Sequence, residues 1–365
     1  MKAFVDSILS EEEGFSFGEP WNYEKSLGAV LPILRKGRRP RKYRTLEEAL
    51  KDTKDAVEVT ETGSIRKVKV LNRTDRPIFV RMGTIFTGEG TQSRAAEGSV
   101  ILVPHKEAEP VEVRCVEASV PIVEGTAFRV AGFSAPRSVE LGLYSRDQGE
   151  VWERVRSYTR AAAVPAERGQ ALSSLWQYRR QDSLVDVLTA VEEFKEQVDE
   201  VLEEVPNYED QVGLVVLDKQ GVVGLEAFDT PQSWRAVSDV IVKKYADVIS
   251  LQVGEDTAPV TPNHDVILKR TRKFLEALVK VQEEVTFEAS GHKTFALAGK
   301  GVVGEYTTID GSVIHLTGVR FERRKSQRLR ERPRERLREE APRGYAPQGW
   351  GERGTGREEG VREGP

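Results

Sequence analysis

The sequence contains very few residues of the kinds that form disulfides or bind zinc. It has one cysteine, Cys115, and four widely spaced histidines. A single cysteine excludes an internal disulfide, and the histidines show neither HExxH nor CxxC spacing. We therefore expect no disulfide framework, no metal site and no cofactor of its own.

The chain also lacks a long apolar run. Its 365 residues contain no stretch of about 20 apolar side chains, the length that spans a bilayer. The N-terminus, MKAFVDSILSEEEGF, contains three consecutive glutamates where a secretory signal would be apolar. The sequence therefore predicts a cytoplasmic protein with no membrane partner.

The composition is that of a globular protein with a sizeable core, because 38% of the residues are hydrophobic and 31% are charged. Methionine and cysteine are scarce, whereas glutamate, arginine and valine are abundant. Such a composition is typical of heat-adapted proteins and predicts a thermostable chain.

Positive charge is concentrated at the C-terminus. Residues 322–365 contain 13 Lys+Arg and 9 Asp+Glu, a net +4, which leaves −8 for the rest of a chain whose net charge is −4. With few aliphatic residues and much glycine and proline, this charged tail is predicted to be largely disordered. It is either a solvated tail or a weak binder of RNA or an acidic partner. The acidic body predicts no strong nucleic-acid binding.

Composition and periodicity divide the chain into a lead segment, 1–26, one domain over 27–321, and the tail. Within the domain, residues 27–130 are β-rich, 147–206 are helical, and 210–321 are mixed. The fold class predicted is α+β, with an antiparallel β-rich core, a helical middle section and a C-terminal strand region that packs back on the core.

Helices are predicted in four places. In TLEEALKD, Thr45 is a suitable N-cap, with Glu48 three residues later. Apolar residues at heptad spacing predict a long amphipathic helix over 183–205, which either packs within the chain or forms a coiled-coil seam. The segments 231–251 and 264–285 also show helical periodicity.

Strands are predicted where apolar and polar residues alternate between turn residues. Examples in the β-rich part are DAVEVTE, SIRKVKVLN, RPIFVRM, GSVILVP and VEVRCVEA. Residues 211–228 read as a hairpin, and the segment KTFALAGKGVVGEYTTIDGSVIHLTGV reads as strands joined by turns at AGKG and DG.

The stretch GTIFTGEGTQSR, residues 83–94, raises the question of a phosphate-binding loop. It lacks the Gly-Lys-Ser/Thr of a Walker loop and opens no helix of a βαβ unit. Its glycines, including Gly83 and Gly88, are expected to permit positive φ angles in a strand-to-strand turn. Gln92 and Arg94 share one face of an extended segment, so both could meet one ligand; a surface ion pair is the alternative for Arg94.

The order of YRTLEEAL, VEVTETGSIRKVKVLN, GTIFTGEGTQSR, ILVP, VEVRCVEAS, VWERV and GEY…VIHLTGV resembles the domain family associated with ADP-ribosylglycohydrolases (ARG) and rhodanese-phosphatase-superfamily proteins. The resemblance covers roughly Leu27 to Phe321 and implies a role near NAD-derived and ADP-ribose metabolism. The matching positions are Gly83, Gly88, Gln92, Arg94, Cys115, Val116, Glu117, Trp152, Glu305 and His315.

Each polar candidate admits a structural and a chemical role. Cys115 is a buried thiol or a nucleophile with His315 as its base, and His315 is a core histidine or a catalytic one. Glu117 is an acid or base, or pairs with Arg94 across the sheet. Glu305 belongs to a pocket or to a solvent face. The ligand-binding candidates are Gly83, Gly88, Gln92, Arg94, Glu117, Glu305 and His315.

Two functions follow. The chain binds or processes a nucleotide-derived ligand of the ADP-ribose class, or it is a non-enzymatic scaffold that uses the 183–205 helix and the charged tail. Homo-oligomerisation stays open in both, and neither decides whether the chain is an enzyme. A pocket with a buried acid favours the ligand, whereas an exposed helical seam without a pocket favours the scaffold.

Overall fold

The part of the chain that the structure describes folds into an eight-stranded sheet, a closed six-stranded barrel and a small three-stranded sheet, with helices on their faces. A computed structural model describes residues 1–21, 28–37, 39–104, 107–118, 120–162, 183–193, 203–245 and 263–321. These residues all belong to one unit, Met1–Glu322. The charged tail and residues 194–202 of the predicted 183–205 helix lie outside the described residues.

The strands of the described residues are short in the barrel and longer in the large sheet. Their bounds are β1 Phe15–Phe17, β2 Ala29–Arg35, β3 Arg44–Thr45, β4 Val57–Glu61, β5 Lys67–Asn72, β6 Ile78–Val80, β7 Thr84–Gly88, β8 Thr91–Ala96, β9 Val100–Leu102, β10 Glu109–Cys115, β11 Ala127–Ser134, β12 Gln211–Asp218, β13 Gly221–Phe228, β14 Gln282–Ala289, β15 His292–Gly299, β16 Val302–Ile309 and β17 Ser312–Arg320.

The helices of the described residues pack against these sheets. Their bounds are α1 Lys2–Leu9, α2 Leu46–Asp52, α3 Arg137–Tyr144, α4 Gln148–Ala162, α5 Leu184–Glu193, α6 Pro231–Lys244 and α7 His264–Leu278. No helix in the described part of the chain combines the length and the apolarity needed to cross a membrane. Together, helices and antiparallel sheets make the fold α+β, as predicted.

The large sheet is antiparallel throughout, in the order β1-β2-β12-β13-β17-β16-β15-β14. Because strand side chains alternate between faces, it has two apolar faces. One packs against α1 and α7 through residues such as Ile8 and Leu275. The other packs against α6 through Trp234 and Ile241. β17 pairs with β13, and β12 pairs with β2, so the C-terminal strand region joins the same sheet as earlier residues.

The barrel closes in the order β10-β5-β4-β11-β7-β8. Its apolar interior includes Val59, Val113 and Phe128, and α2 packs on the same cluster. The predicted N-cap of α2 is confirmed, because Thr45 accepts a hydrogen bond from the Glu48 backbone N–H at 3.2 Å. The outer face of the barrel, at Ile85, contacts α3, α4 and α5.

The described part of the predicted 183–205 helix packs within the chain. In α5, Leu184, Val187 and Leu188 are buried in the cluster that also contains residues of α3 and α4. Residues 194–202 lie outside the described part of the chain. Over α5, therefore, the apolar stripe has an intramolecular partner.

The structure confirms the hairpin at 211–228, which is β12 and β13. The prediction of a helix over 264–285 is wrong at its end, because α7 stops at Leu278 and β14 begins at Gln282. Glutamine and glutamate favour helices, but here the backbone of β14 pairs with β15, so tertiary pairing overrides the propensity. β14 is the last strand of the sheet and is exposed over most of its length.

Candidate functional site

The stretch GTIFTGEGTQSR forms a β-hairpin, in which β7 pairs with β8 around the turn at Glu89 and Gly90. Positive φ angles occur at Gly83 (79°) and Gly90 (73°). Gly88 does not have one, which corrects that expectation. Its role is steric, because a Cβ there would lie 2.4 Å from the Thr91 side chain. The hairpin is thus a structural turn of the barrel.

Gln92 and Arg94 share one face of β8, as predicted, but that face is the inside of the barrel. Arg94 has no exposed surface, and its Nη2 atom donates to Glu61 at 2.6 Å. Its Nη1 atom donates to the Gln92 amide oxygen at 3.0 Å and to Cys115 Sγ at 2.8 Å. The acidic partner of Arg94 is therefore Glu61 rather than Glu117, and the surface ion pair considered for Arg94 is instead a buried one.

Cys115 and Glu117 also make internal contacts. Burial raises the pKa of the Cys115 thiol to about 11, despite the nearby Arg94 guanidinium. At neutral pH the thiol is protonated, so it has little nucleophilic character. The carboxylate of Glu117 accepts from the Ser93 backbone N–H and the Ser183 hydroxyl, both at 2.7 Å. Glu117 thereby ties the barrel to the start of α5.

His315 lies in a second buried polar cluster, between the large sheet, α3 and α6. Its Nε2 atom is 2.7 Å from the carboxylate of Glu226 on β13. The ammonium of Lys244 bridges Glu226 and Glu140, the latter at 2.6 Å. Thr317 donates a further hydrogen bond to Glu226 at 3.1 Å. We name these residues, Glu140, Glu226, Lys244, His315 and Thr317, the buried charge cluster.

Electrostatics in the buried charge cluster favour a neutral His315, an ionised Glu226 and a charged Lys244. Burial lowers the pKa of His315, which favours the neutral imidazole, so Nε2–H donates to Glu226. Burial opposes the ionisation of Glu226, yet its pKa lies below the usual value because Lys244 and His315 stabilise the carboxylate. Burial likewise opposes the charge of Lys244, but Glu140 and Glu226 hold its pKa above the usual value. All five side chains are at most 2% exposed, so the cluster is closed to solvent in this structure.

Glu305 lines a cavity between the barrel, the end of α3 and the edge of the large sheet. The cavity has a volume of about 80 Å³. Its residues come from the β8–β9 connection, the α3 C-terminus, β10 and strands β14 to β16. The described lining residues are Met82, Glu97, Gly98, Ser99, Val100, Pro110, Glu112, Leu143, Tyr144, Arg146, Thr286, Phe287, Ala296 and Glu305.

Ser99 fixes the carboxyl group of Glu305. The backbone N–H of Ser99 lies 3.2 Å from both carboxyl oxygens, and its hydroxyl bonds to Oε1. Ser99 is itself held by the Met82 N–H at 2.9 Å and by the Thr294 hydroxyl at 2.8 Å. Burial raises the pKa of Glu305 to about 7, and the negative charges of Glu140 and Glu226 add to this effect. Glu305 therefore exchanges a proton near neutral pH.

Tyr144 places an unpartnered hydroxyl beside Glu305, and Gly98 leaves space there. The hydroxyl of Tyr144 is buried and has no hydrogen-bond partner among the described residues. Gly98 leaves room, because a Cβ there would lie 3.6 Å from Glu305 Oε2. A buried acid, an unpartnered hydroxyl and free space in one cavity make this the candidate site. We name it the Glu305 cavity.

Of the sequence candidates, only Glu305 lines this cavity. The others lie in the hairpin, the barrel interior or the buried charge cluster, namely Gly83, Gly88, Gln92, Arg94, Glu117 and His315. Sequence reasoning did not find Ser99, Tyr144 or Gly98, because Ser99 meets Glu305 across 206 positions of the chain. No local pattern indicates such a contact.

The raised pKa of Glu305 predicts that stability falls with pH. Below about pH 4 the side chain is protonated in both the folded and the unfolded chain, so its contribution is fully present. As the pH rises towards 7 the unfolded chain ionises first, and stability on the order of 3 kcal/mol is lost. We expect urea unfolding at pH 5 and pH 8 to show this loss in the wild type but not in Glu305→Gln.

The control for this prediction is Glu276→Gln, which changes an exposed glutamate on α7. It should keep the wild-type pH dependence. Parallel pH profiles for wild type and Glu305→Gln would show that Glu305 ionises normally in the folded chain.

In the described residues, no group of three or more His, Cys, Asp or Glu side chains is arranged to hold a metal ion.

Comparison with known proteins identifies a family. The sequence matches no curated protein and no solved structure. A family model, the ARG and Rhodanese-Phosphatase-superfamily-associated Protein domain, matches residues 14–319, which confirms the resemblance seen in the sequence. The chain therefore belongs to this family.

Proposed function

We propose that the protein binds an NAD-derived ligand of the ADP-ribose class and that the ribosyl group of this ligand occupies the Glu305 cavity. The observation that supports the proposal best is the buried carboxyl of Glu305, 3% exposed, beside the unpartnered hydroxyl of Tyr144. The family name, which links this domain to ADP-ribosylglycohydrolases, agrees with a ligand of that class.

The chemistry of the cavity suits the adjacent hydroxyls of a ribose. A carboxylate accepts hydrogen bonds from such hydroxyls, as acidic residues do in dinucleotide-binding folds. In Glu305, Oε1 is bonded to the hydroxyl and the N–H of Ser99, whereas Oε2 has only the Ser99 N–H, at 3.2 Å. Oε2 also faces the space beside Gly98. Oε2 and the Tyr144 hydroxyl are therefore the two groups assigned to the sugar.

The size of the cavity limits which part of the ligand it can hold. At about 80 Å³ it is smaller than the roughly 300–1,000 Å³ of pockets that enclose a whole drug-sized ligand. A complete ADP-ribose exceeds this space, so the proposal places a ribosyl-sized part inside and the remainder at the opening.

The protonation state of Glu305 extends the proposal from binding to processing. A group with a pKa of about 7 is present in both protonated and ionised forms at neutral pH. Such a group can donate a proton to a leaving group or accept one from water, which is what cleavage of a ribosyl bond requires.

Calorimetric titration of ADP-ribose into three proteins tests the proposal. We expect Glu305→Gln to weaken binding about tenfold or more, because a hydrogen bond to a charged group is lost. Gly98→Ala should have a similar effect, because its methyl group fills the space beside Oε2. At 3.6 Å this methyl makes only ordinary van der Waals contact with Oε2, so the fold should tolerate it.

The matched control is Gly132→Ala on β11, where an added Cβ would meet nothing within 4 Å. It should bind ADP-ribose as the wild type does. The proposal fails if the wild type binds none of ADP-ribose, NAD and adenosine, or if Glu305→Gln and Gly98→Ala both bind with wild-type affinity.

A further inference from the structure

We propose that Arg146, at the rim of the Glu305 cavity, binds a phosphoryl group attached to the ribosyl group inside. This inference rests on the proposed function and makes it more specific, because it assigns the ligand a phosphate. Among the described residues that line the cavity, Arg146 has the only positive charge.

The backbone holds Arg146 at this position. The residue lies two positions after the end of α3, and its backbone N–H donates to the Leu143 carbonyl at 3.0 Å. Its φ angle is 53°, a left-handed conformation that costs energy for most residues other than glycine and asparagine. Its carbonyl accepts a hydrogen bond from Arg114 Nη2 at 2.7 Å, which stabilises this conformation. The side chain therefore starts from a fixed point beside Tyr144.

In contrast to its backbone, the guanidinium of Arg146 is held loosely. Its nearest carboxylate oxygens belong to Glu97, at 3.5 Å, and Glu284, at 3.6 Å. Both distances exceed the roughly 2.7–2.9 Å of a charge-assisted hydrogen bond. The side chain is 42% exposed. By comparison, Arg114 is almost completely buried and contacts Glu97 at 2.6 Å. Arg146 can therefore turn to a ligand without breaking a close ion pair.

The surrounding charges explain why a phosphorylated ligand needs this arginine. Glu97, Glu112 and Glu305 line the same cavity, and Glu284 lies within reach of the arginine. Arg114 pairs closely with Glu97, so that charge is already balanced. The remaining carboxylates would repel a phosphate, whereas the planar guanidinium offers it two parallel hydrogen bonds. Arg146 thus favours a phosphorylated ribosyl ligand over an uncharged one.

Calorimetry with a phosphorylated and an unphosphorylated ligand tests this role. We expect Arg146→Asn to weaken ADP-ribose and ribose 5-phosphate binding about 10- to 100-fold, and adenosine binding less than about twofold. Asparagine tolerates a left-handed φ angle, so this change removes the charge and keeps the backbone. Arg146→Lys should restore only part of the affinity, because an ammonium cannot form the two parallel bonds.

The control is Arg235→Asn, which removes an exposed arginine on α6 and should change no affinity. Equal weakening of adenosine and ADP-ribose by Arg146→Asn would overturn the phosphate role. Unchanged binding of both ADP-ribose and ribose 5-phosphate would overturn it as well, and in that case the ribosyl site tested with Glu305→Gln stands. Failure of all these ligands to bind the wild type would overturn both proposals. If Arg146→Asn weakened the binding of ribose 5-phosphate alone, the group bound would be a phosphate monoester.

Discussion

Replacing Lys244 with methionine is expected to lower the free energy of unfolding by about 3–5 kcal/mol, the range observed when one partner of a buried ion pair is removed. Lys244 contacts two carboxylates, and all three side chains are no more than 2% exposed. Without the ammonium, Glu140 and Glu226 face each other's charge in a region that excludes water. Urea unfolding at pH 7 measures the loss.

Two further proteins make this result specific. Lys269→Met, at an exposed position of α7, should change the free energy of unfolding by less than about 0.5 kcal/mol. Adding Glu140→Gln to Lys244→Met should recover part of the lost stability, because one of the two unpaired carboxylates is then neutral. A loss below 1 kcal/mol in Lys244→Met would mean that the buried charge cluster rearranges or admits water.

Arg94→Ala is the second change with a large expected effect, again about 3–5 kcal/mol of destabilisation. The substitution leaves Glu61 charged inside the barrel and removes the donor to Gln92 and Cys115. Arg94→Lys should lose less, since an ammonium keeps the charge but not the planar set of donors. Thermal and urea unfolding, compared with the exposed barrel variant Arg129→Ala, provide the test.

The same variants distinguish a structural from a ligand-binding arginine. A folded Arg94→Ala protein with wild-type stability and lost affinity for ADP-ribose would restore the ligand role that the sequence suggested. Lost stability, with affinity retained in the folded fraction, would agree with the buried ion pair seen in the barrel.

Local patterns predict much of this fold. The hairpin at 211–228, the strands of the C-terminal segment and the N-cap at Thr45 follow from alternation, turn residues and capping chemistry. Each depends on residues that lie close together in the chain, so the sequence contains the whole signal. The helix predicted over 264–285 failed where β14 pairs with β15, a contact that helix propensity does not describe.

The sequence contains no local signal for the closure of the barrel. Alternation correctly placed Gln92 and Arg94 on one face of β8, but it cannot tell the inside of a barrel from a ligand surface. That distinction depends on β10 and β7 pairing with the two sides of β8. The ion-pair partner of Arg94 is Glu61, which lies 33 positions away in the sequence. Only the pairing of the strands shows that the two side chains meet.

Of the residues that line the Glu305 cavity, the sequence analysis named one, Glu305 itself. Its partners come from other elements, because Ser99 precedes β9 and Tyr144 ends α3.

The buried charge cluster, by contrast, has a local signal in β13, whose sequence GVVGLEAF contains a single acid, Glu226, within an apolar strand. An isolated charge in such a run indicates a buried partner, and Lys244 with His315 supplies it to Glu226.

The exposed strand β14 carries charges that oppose edge-to-edge pairing between copies of the chain. A barrel has no free edge, so among the described sheets the long open edge belongs to β14. Its residues Glu283, Glu284 and Glu288 are all exposed, which places three carboxylates along that edge, of which Glu288 pairs with Lys293 at 2.8 Å. Two copies joined edge to edge there would bring three glutamates from each into one seam. Repulsion between them opposes the continuous β-pairing that leads to aggregation, as charged edge strands do in natural sheets.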